Sequence, residues 1–489
     1  MTRRKLTIVG GGTAGWFSAA YMTRHPIFDI SLISTDDIPH IGVGESTVPF
    51  VIRFLDELGV NHDDWMKQTG ATLKYANRFL KWQNDYHDEC ISFERAFPLH
   101  ILMRTIDTPQ SKEEYISQHD KPLTTDVILE MYKRGECDKF DKTHDANYHF
   151  IQKNVLSDGL NLPYTIAHHI DADKTGLYVR DKIAIPRGVK HIKKKVNKVN
   201  VKDDVIKSLT LDDGTLHESD YFIDATGFHR TLINHLTTAT KDYHYAIDSC
   251  LVVRKNHDRA KLNHTTSTAM KHGWEFHIGL QDRVGAGYVF SSSHTTASAA
   301  LEEWKQDEDA RVITWTPQRM IEPAKGNCFC VGLSAGFIEP LEANSLFITV
   351  ASIKHAETGI MGRGTSYYND KMSYLIDDIY DHLSMIYAYS RKDTDFWNET
   401  YEPRDYASLA KEKYYNNVNN TLGVHNYDLL WPEIQWLQKS MMFGKDLSSW
   451  ESRITEKEYQ VGKEYFYHKQ KKHALLAKME KHNNSVTSL

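Results

Sequence analysis

The period of the apolar positions changes several times along the chain, and each change marks an element. Leu6-Thr7-Ile8-Val9 is aliphatic and β-branched, the composition of a buried strand, whereas residues 16–22 place alanines and aromatics at helical spacing. Residues 29–34 alternate apolar with polar side chains and predict a second strand at the distance a βαβ unit requires. Over residues 51–82 the period is helical, with Phe54, Leu55 and Leu58 on one face and Asp63-Asp64-Trp65-Met66 opening a new turn. Pro98, Pro109 and Pro122 break the next stretch into short pieces. Residues 188–199 alternate again, their lysines on the solvated face of an edge strand, and Asp212-Asp213-Gly214 predicts a hairpin turn. Residues 220–225 read as a buried strand that runs into Gly227, and residues 273–292 as a hairpin about Gln281-Asp282-Arg283. From Ile353 onward the chain is helical and rich in aromatics.

Between the first strand and the first helix lies Gly10-Gly11-Gly12-Thr13-Ala14-Gly15, a G-x-G-x-x-G. The first glycine permits a tight turn, the second lets a pyrophosphate approach the backbone, and the third lets helix and strand pack closely. The helix then faces the anion with its unpaired N–H groups, so the segment predicts a bound dinucleotide. An acidic residue normally ends the second strand and holds the ribose; here Ser34 stands in that place, with Asp36 and Asp37 beyond. Other segments carry an ordinary reading first. Residues 40–49 form a glycine loop before a helix with Ser46 or Thr47 as its cap, and Lys74 reads as a surface charge. His168-His169-Ile170-Asp171 suggests a metal cluster, but adjacent histidines diverge along a strand and Asp171 fits a helix cap. Cys328 and Cys330 are core residues of a strand, with no second pair to complete a metal site.

Composition narrows the class. With 489 residues the chain is long enough for two or three domains' worth of core, and a net charge of −6 without long basic runs argues against a nucleic-acid partner. Five scattered cysteines are no secreted disulfide framework and fit a reducing cytoplasm. The basic start is followed by a glycine-broken strand rather than an export signal, and no apolar run approaches the ~20 residues of a membrane span. A soluble cytoplasmic protein that binds a small molecule is the expectation, its oligomeric state left open.

Several ordered blocks resemble the flavin-dependent halogenases of the tryptophan halogenase family. The first is the glycine turn; the second is Gly42-Val43-Gly44-Glu45 with Thr47 and Pro49, similar to a flavin-contacting strap. In the third, Lys74 stands five residues before Phe79 and shortly after Trp65-Met66, as the family's catalytic lysine does in a helix. Asp224-Ala225-Thr226-Gly227-Phe228 resembles a signature of the wider flavoprotein superfamily. Trp274, Ile278 and the following strand resemble a W-x-W-x-I-P block that keeps flavin chemistry apart from the substrate, with Phe276 for the second tryptophan and Gly279 for the proline. Residues 332–346 resemble the segment that closes over the flavin and carries the catalytic carboxylate, with Glu342 on that position and Asn344-Ser345 where Thr-Gly holds the halide. Residues 387–397 resemble an R-x-D-T-P-F-W block, while the indole-clamping residues of tryptophan-specific members have no clear counterpart in residues 411–438.

The resemblance implies an α/β fold: a Rossmann-like FAD-binding module of the aromatic-hydroxylase flavoprotein type with a mostly helical substrate-binding part. The module would comprise residues 1–82, 171–240 and 321–352, with 83–170 covering the substrate site, 241–320 a sheet and hairpin between the flavin and substrate sites, and 353–489 a helical lid. It implies FAD on Gly10, Gly12, Thr13, Ala14, Gly15, Ser34, Gly42, Val43, Gly44, Glu45, Val196, Gly332, Leu333 and Leu346. Lys74 and Glu342 would be catalytic, Asn344 and Ser345 would hold halide, and Trp274 and Phe276 would face the substrate. FAD would arrive reduced by a separate NAD(P)H-dependent flavin reductase, and halide and oxygen would yield hypohalous acid that Lys74 directs onto an electron-rich aromatic small molecule. Two rivals stand beside this reading: an aromatic monooxygenase on the same flavin fold, and a flavin-binding protein without catalysis.

Overall fold

A computed structural model describes residues 3–35, 44–93, 124–138, 140, 142, 148–149, 151, 166–256, 262–305, 309–421, 430 and 433–486. Its centre is a six-stranded sheet in the order Ala324–Lys325, Cys328–Cys330, Tyr221–Asp224, Arg4–Val9, Phe28–Ser34, Lys190–Lys193. All neighbours are parallel except the first pair. Parallel strands covered on both faces have no wet side, which is why Leu6, Ile8, Leu32, Ile33, Phe222 and Ile223 are all fully buried. The first helix, Thr13–Met22, packs on this sheet, and two of the turn's glycines make that packing possible. A Cβ on Gly10, at φ +121°, would lie 2.3 Å from the Ala225 carbonyl oxygen, and one on Gly15 would lie 1.9 Å from that of Gly10.

The lysine-rich alternation of residues 188–199 proves to be two strands. Lys190–Lys193 is the sheet edge, and Val196–Lys202 leaves to pair antiparallel with Val205–Leu211. The next strand, Leu216–Glu218, returns through the expected turn at Asp212-Asp213-Gly214. Cys328 and Cys330 are free, buried thiols of a central strand, and Asp171 caps the helix Ala172–Val179 by accepting from the Lys174 N–H at 3.0 Å.

The helical reading of residues 51–82 is corrected by the structure. Helices Pro49–Leu58 and His62–Thr69 form as the apolar period predicts, but Gly70, at φ +74°, ends the second, and the chain continues as strands Thr72–Lys74 and Ala76–Leu80. Lys74 therefore stands on a strand, not in a helix. Pairing distant in sequence decides this: Thr72–Lys74 pairs antiparallel with Ala167–Ile170, and Ala76–Leu80 lies parallel to His264–Met270. The second contact places Ala76–Leu80 in a seven-stranded sheet that includes Gly273–Gly279 and Arg283–Phe290, the hairpin expected about Gln281-Asp282-Arg283.

The later part of the chain is helical, as its pattern predicts, and together with one earlier helix it forms a second hydrophobic core. Helices Thr124–Lys133, Tyr406–Thr421, Glu433–Met442 and Glu456–Val486 supply Val127, Ile128, Tyr414, Trp436, Leu437 and Phe466 to it. Among the described residues no helix is long and apolar enough to cross a membrane.

One buried carboxylate ties the sheet to the loop that follows it. Asp224 Oδ1 accepts from the Thr226 N–H and hydroxyl at 3.1 and 2.6 Å, and Oδ2 accepts from the N–H groups of Leu232 and Ile233 at 2.8 and 3.0 Å. Asp224→Ala leaves these donors unpaired and should cost roughly 3 kcal/mol, read as a lower urea midpoint at unchanged slope. A shift below about 0.5 kcal/mol would mean that water replaces the carboxylate.

Candidate functional site

A cavity of about 430 Å³ opens where the glycine turn, the seven-stranded sheet and residues 331–349 meet. Gly12, Thr13 and Ala14 line it, together with Gly44, Glu45 and Ser46, with Trp274, Phe276 and Ile278, and with Leu333, Glu342, Ala343, Ser345 and Leu346. Alternation places Trp274, Phe276 and Ile278 on one face of their strand. Gly287 on the neighbouring strand makes room for the middle one, since a Cβ there would lie 2.4 Å from the Phe276 ring.

The turn fits a pyrophosphate. A Cβ on Gly12 would meet nothing within 4 Å, so that glycine leaves open space exactly at the N-terminus of Thr13–Met22, where the first-turn N–H groups lack intrahelical acceptors. Gly332, at φ +68°, lies close to Ala14 and Thr349 and lets Leu333 reach the cavity. Ser34 bonds to His191 Nε2 at 2.9 Å and Val196 packs half-buried on the main core; neither is among the residues that line the cavity. Gly42 and Val43, with Asp36 and Asp37, lie outside the described residues. So does most of the stretch expected to cover the substrate.

Lys74 is fully buried. Its ammonium donates to Ser46 Oγ at 2.5 Å and to the Thr47 carbonyl at 3.0 Å, reaching the cavity wall through Ser46. The three short strands Glu45–Ser46, Ala167–Ile170 and Thr72–Lys74 enforce this contact. Ser46 Oγ is in turn 2.9 Å from Thr265 Oγ1, which is 2.9 Å from His169 Nε2. Burial, with the Lys439 charge adding to it and Glu342 opposing, brings the Lys74 ammonium down to about 7. Burial therefore favours the free amine far more than it would for a surface lysine.

Glu342 is 6 % exposed and sits in left-handed backbone at φ +62°, followed by Ala343 at φ +64°. Two consecutive non-glycine residues in this region are strained, and the surrounding contacts hold them there. Burial would push the Glu342 carboxyl up, but the Lys439 ammonium, which pairs with Oε1, and His382, 3.5 Å from Oε2, bring it to about 2. Asn77 Nδ2 donates to Oε1 at 3.4 Å. Immediately after this bend begins the helix Asn344–Thr358, whose first N–H groups are those of Asn344 and Ser345. The Asn344 side chain is turned inward, donating to the carbonyls of Glu339 and Leu341 at 2.7 and 2.9 Å, whereas Ser345 lines the cavity. Trp274 Nε1 donates to Glu339 Oε2 at 3.0 Å, and the hydroxyls of Tyr245 and Tyr387 donate to the same buried carboxyl. Burial raises that carboxyl to about 7 despite the three donors.

Thr265 near Lys74, and Lys439 and His382 around Glu342, carry no sequence signal for a site, and Ser46 and His169 read in the sequence only as a helix-cap candidate and as one of two diverging strand histidines. Lys439 in particular, the one lysine of the helix Glu433–Met442, has no exposed surface. Among the described residues no group of three or more His, Cys, Asp or Glu is placed to hold a metal ion.

Comparison with known proteins bears on this arrangement. The tryptophan halogenase family profile matches residues 5–453. The tryptophan 7-halogenase RebH of Lentzea aerocolonigenes is 28% identical over 434 residues, covering 82% of this chain and 79% of its own. The tryptophan 6-halogenase ThaL of Streptomyces albogriseolus is 28% identical over 430 residues, with the same coverage of each chain. In fold, BrvH, a flavin-dependent halogenase from Brevundimonas sp. BAL3, superposes with a TM-score of 0.80 at 24% identity over 100% of both chains. The profile match over residues 5–453, together with relatives aligned over four fifths of the chain, leads to one conclusion: this chain belongs to the tryptophan halogenase family of flavin-dependent enzymes.

Proposed function

We propose that the protein uses reduced FAD, oxygen and a halide to halogenate an electron-rich aromatic small molecule, with Lys74 as the residue that delivers the halogen. The observation that carries this is the burial of Lys74: an amine brought to about 7 by desolvation is a nucleophile at neutral pH, and a surface lysine is not. Bound FAD supplies the redox chemistry that turns halide and oxygen into hypohalous acid. Gly10, Gly12, Thr13, Ala14 and Gly15 would hold its pyrophosphate, with Gly44, Glu45, Gly332, Leu333 and Leu346 around the ring system. Ser34, Val196 and the strap residues Gly42 and Val43 would complete the nucleotide contacts. The N–H groups of Asn344 and Ser345, at a helix N-terminus, suit a halide ion.

The chain's own residues then divide the work. Lys74, held by Ser46 and Thr47, would receive the halogen and present it to the ring. Glu342, an ionised carboxylate, would orient the oxidant and accept the proton the ring releases. Trp274 and Phe276 would separate cofactor from substrate, Trp274 being fixed by Glu339. The FAD-binding module would comprise residues 1–82, 171–240 and 321–352, residues 241–320 would lie between the two sites, and residues 83–170 and 353–489 would cover the substrate. A separate flavin reductase would supply the reduced cofactor.

The test is an assay with purified protein, FAD, a flavin reductase, NADH, bromide and a panel of indoles and phenols, read by mass spectrometry. Brominated product that requires bromide and the reductase is expected. Hydroxylated product formed without halide would replace the proposal with an aromatic monooxygenase, and no product beside tight flavin binding would favour a binding protein. A second outcome is expected from the same materials. No other G-x-G-x-x-G follows a strand in this sequence, so NADH alone should not bleach the bound flavin; rapid bleaching without reductase would show the chain to be its own reductase.

A further inference from the structure

We propose that Lys439 is a positioning residue for Glu342, an ionic strut from the second hydrophobic core that completes the catalytic carboxylate's geometry; this rests on the halogenation reading for the role of Glu342. The strut joins two bodies of packing. Glu342 follows the Rossmann-like core on a strained bend, whereas Lys439 belongs to the helix Glu433–Met442, whose Ile434, Trp436, Leu437 and Met441 pack into the helical core. Lys439 Nζ bonds to Glu342 Oε1 and lies 4.4 Å from the centroid of the Phe79 ring, and neither charged side chain meets appreciable solvent.

The groups facing the carboxylate come from four elements. Besides Lys439 they are His382 on the helix Gly364–Tyr389, Asn77 on Ala76–Leu80, and the charge of Lys74 on Thr72–Lys74. His382 is held neutral, since burial takes its imidazole down to about 4. Its ring packs edge-on against Trp436, 4.9 Å away, so the helix that carries Lys439 also sets His382. Lys439 is thus the cation bonded directly to the carboxylate. An ionised carboxylate buried without one would take up a proton, and a protonated Glu342 accepts poorly. The arrangement makes the acid–base site depend on seating of the C-terminal helices, so that a displaced Glu433–Met442 helix would disarm Glu342 while leaving the glycine turn in place.

The experiment is a double-mutant cycle of Lys439→Met and Glu342→Gln, read as kcat, KM and FAD affinity, with melting temperature followed from pH 5 to 8. Lys439→Met should lower kcat about tenfold or more with KM and FAD affinity nearly unchanged, and the double variant should be no slower than Glu342→Gln alone. Losses that multiply would overturn the proposal. The melting arm does not depend on halogenation. With Lys439 present, Glu342 titrates near 2, below its unfolded value of about 4.3, so its stabilisation is present across this pH range and is lost only as pH falls toward 2. With Lys439 gone, burial pushes Glu342 above the unfolded value, so Lys439→Met should lose melting temperature steadily as pH rises from 5 to 8. A pH dependence parallel to the parent protein would overturn the proposal even if the parent makes no halogenated product. Should Lys439→Met fail to fold, the double variant, which removes both buried charges, should fold; its failure as well would make Lys439 structural and refute the proposal.

Discussion

Lys74→Ala should bind FAD normally, consume oxygen in the presence of a flavin reductase and yield no halogenated product. The first part follows from position: Lys74 bonds to Ser46 and Thr47 and is no part of the glycine turn or of the N-terminus of the first helix. Tolerance of the fold follows from energetics, because the substitution removes a buried amine whose charged form is disfavoured by burial, offsetting part of the packing lost. The loss of product should exceed the ~10²–10⁴ expected from removing one acid or base, since the group that carries the halogen is itself gone. The pH dependence has a definite sign. An amine lowered to about 7 is neutral above that pH, so product formation in the parent protein should rise through about pH 7, and a rate that falls there would identify the ammonium as the working form. Halogenation by Lys74→Ala at the parent rate, with bulk hypohalous acid scavenged, would show that the oxidant never needed this lysine.

The second large effect is expected at the glycine turn. Gly12→Val should weaken FAD binding about 100-fold or more while circular dichroism and melting temperature stay close to the parent values. Three glycines of the turn differ in what they do for the protein. Gly10 and Gly15 are occupied by their own surroundings, and a side chain on either would collide with backbone oxygen. Gly12 has ordinary extended backbone, at φ −76° and ψ −176°, and open space where its Cβ would point. A valine there strains nothing in the chain and obstructs only what enters the space. Normal FAD affinity in the variant would place the pyrophosphate elsewhere, and an unfolded variant would mean that Gly12, like its neighbours, serves packing.

What the sequence by itself determined are the features written in local chemistry. The G-x-G-x-x-G between an aliphatic strand and an apolar helix, the turn at Asp212-Asp213-Gly214, the cap at Asp171 and the helical character of the C-terminal part are all set by residues within a few positions of one another, and the structure has each of them. The ordered motifs were enough to place the chain in its family. Tertiary structure decided the rest. Whether residues 72–80 are helix or strand depends on Ala167–Ile170 and His264–Met270, partners far away in the chain that a local period does not register, and those partners prevail because they satisfy the backbone of a buried segment. The state of Lys74 depends on the same pairing, since only that sheet seats its amine on Ser46 and Thr47 out of water. The charge on Glu342 depends on Lys439, 97 residues further on. Nothing local distinguishes either lysine from a solvated one; desolvation and a single close opposite charge do, and both are properties of the folded interior rather than of the chain.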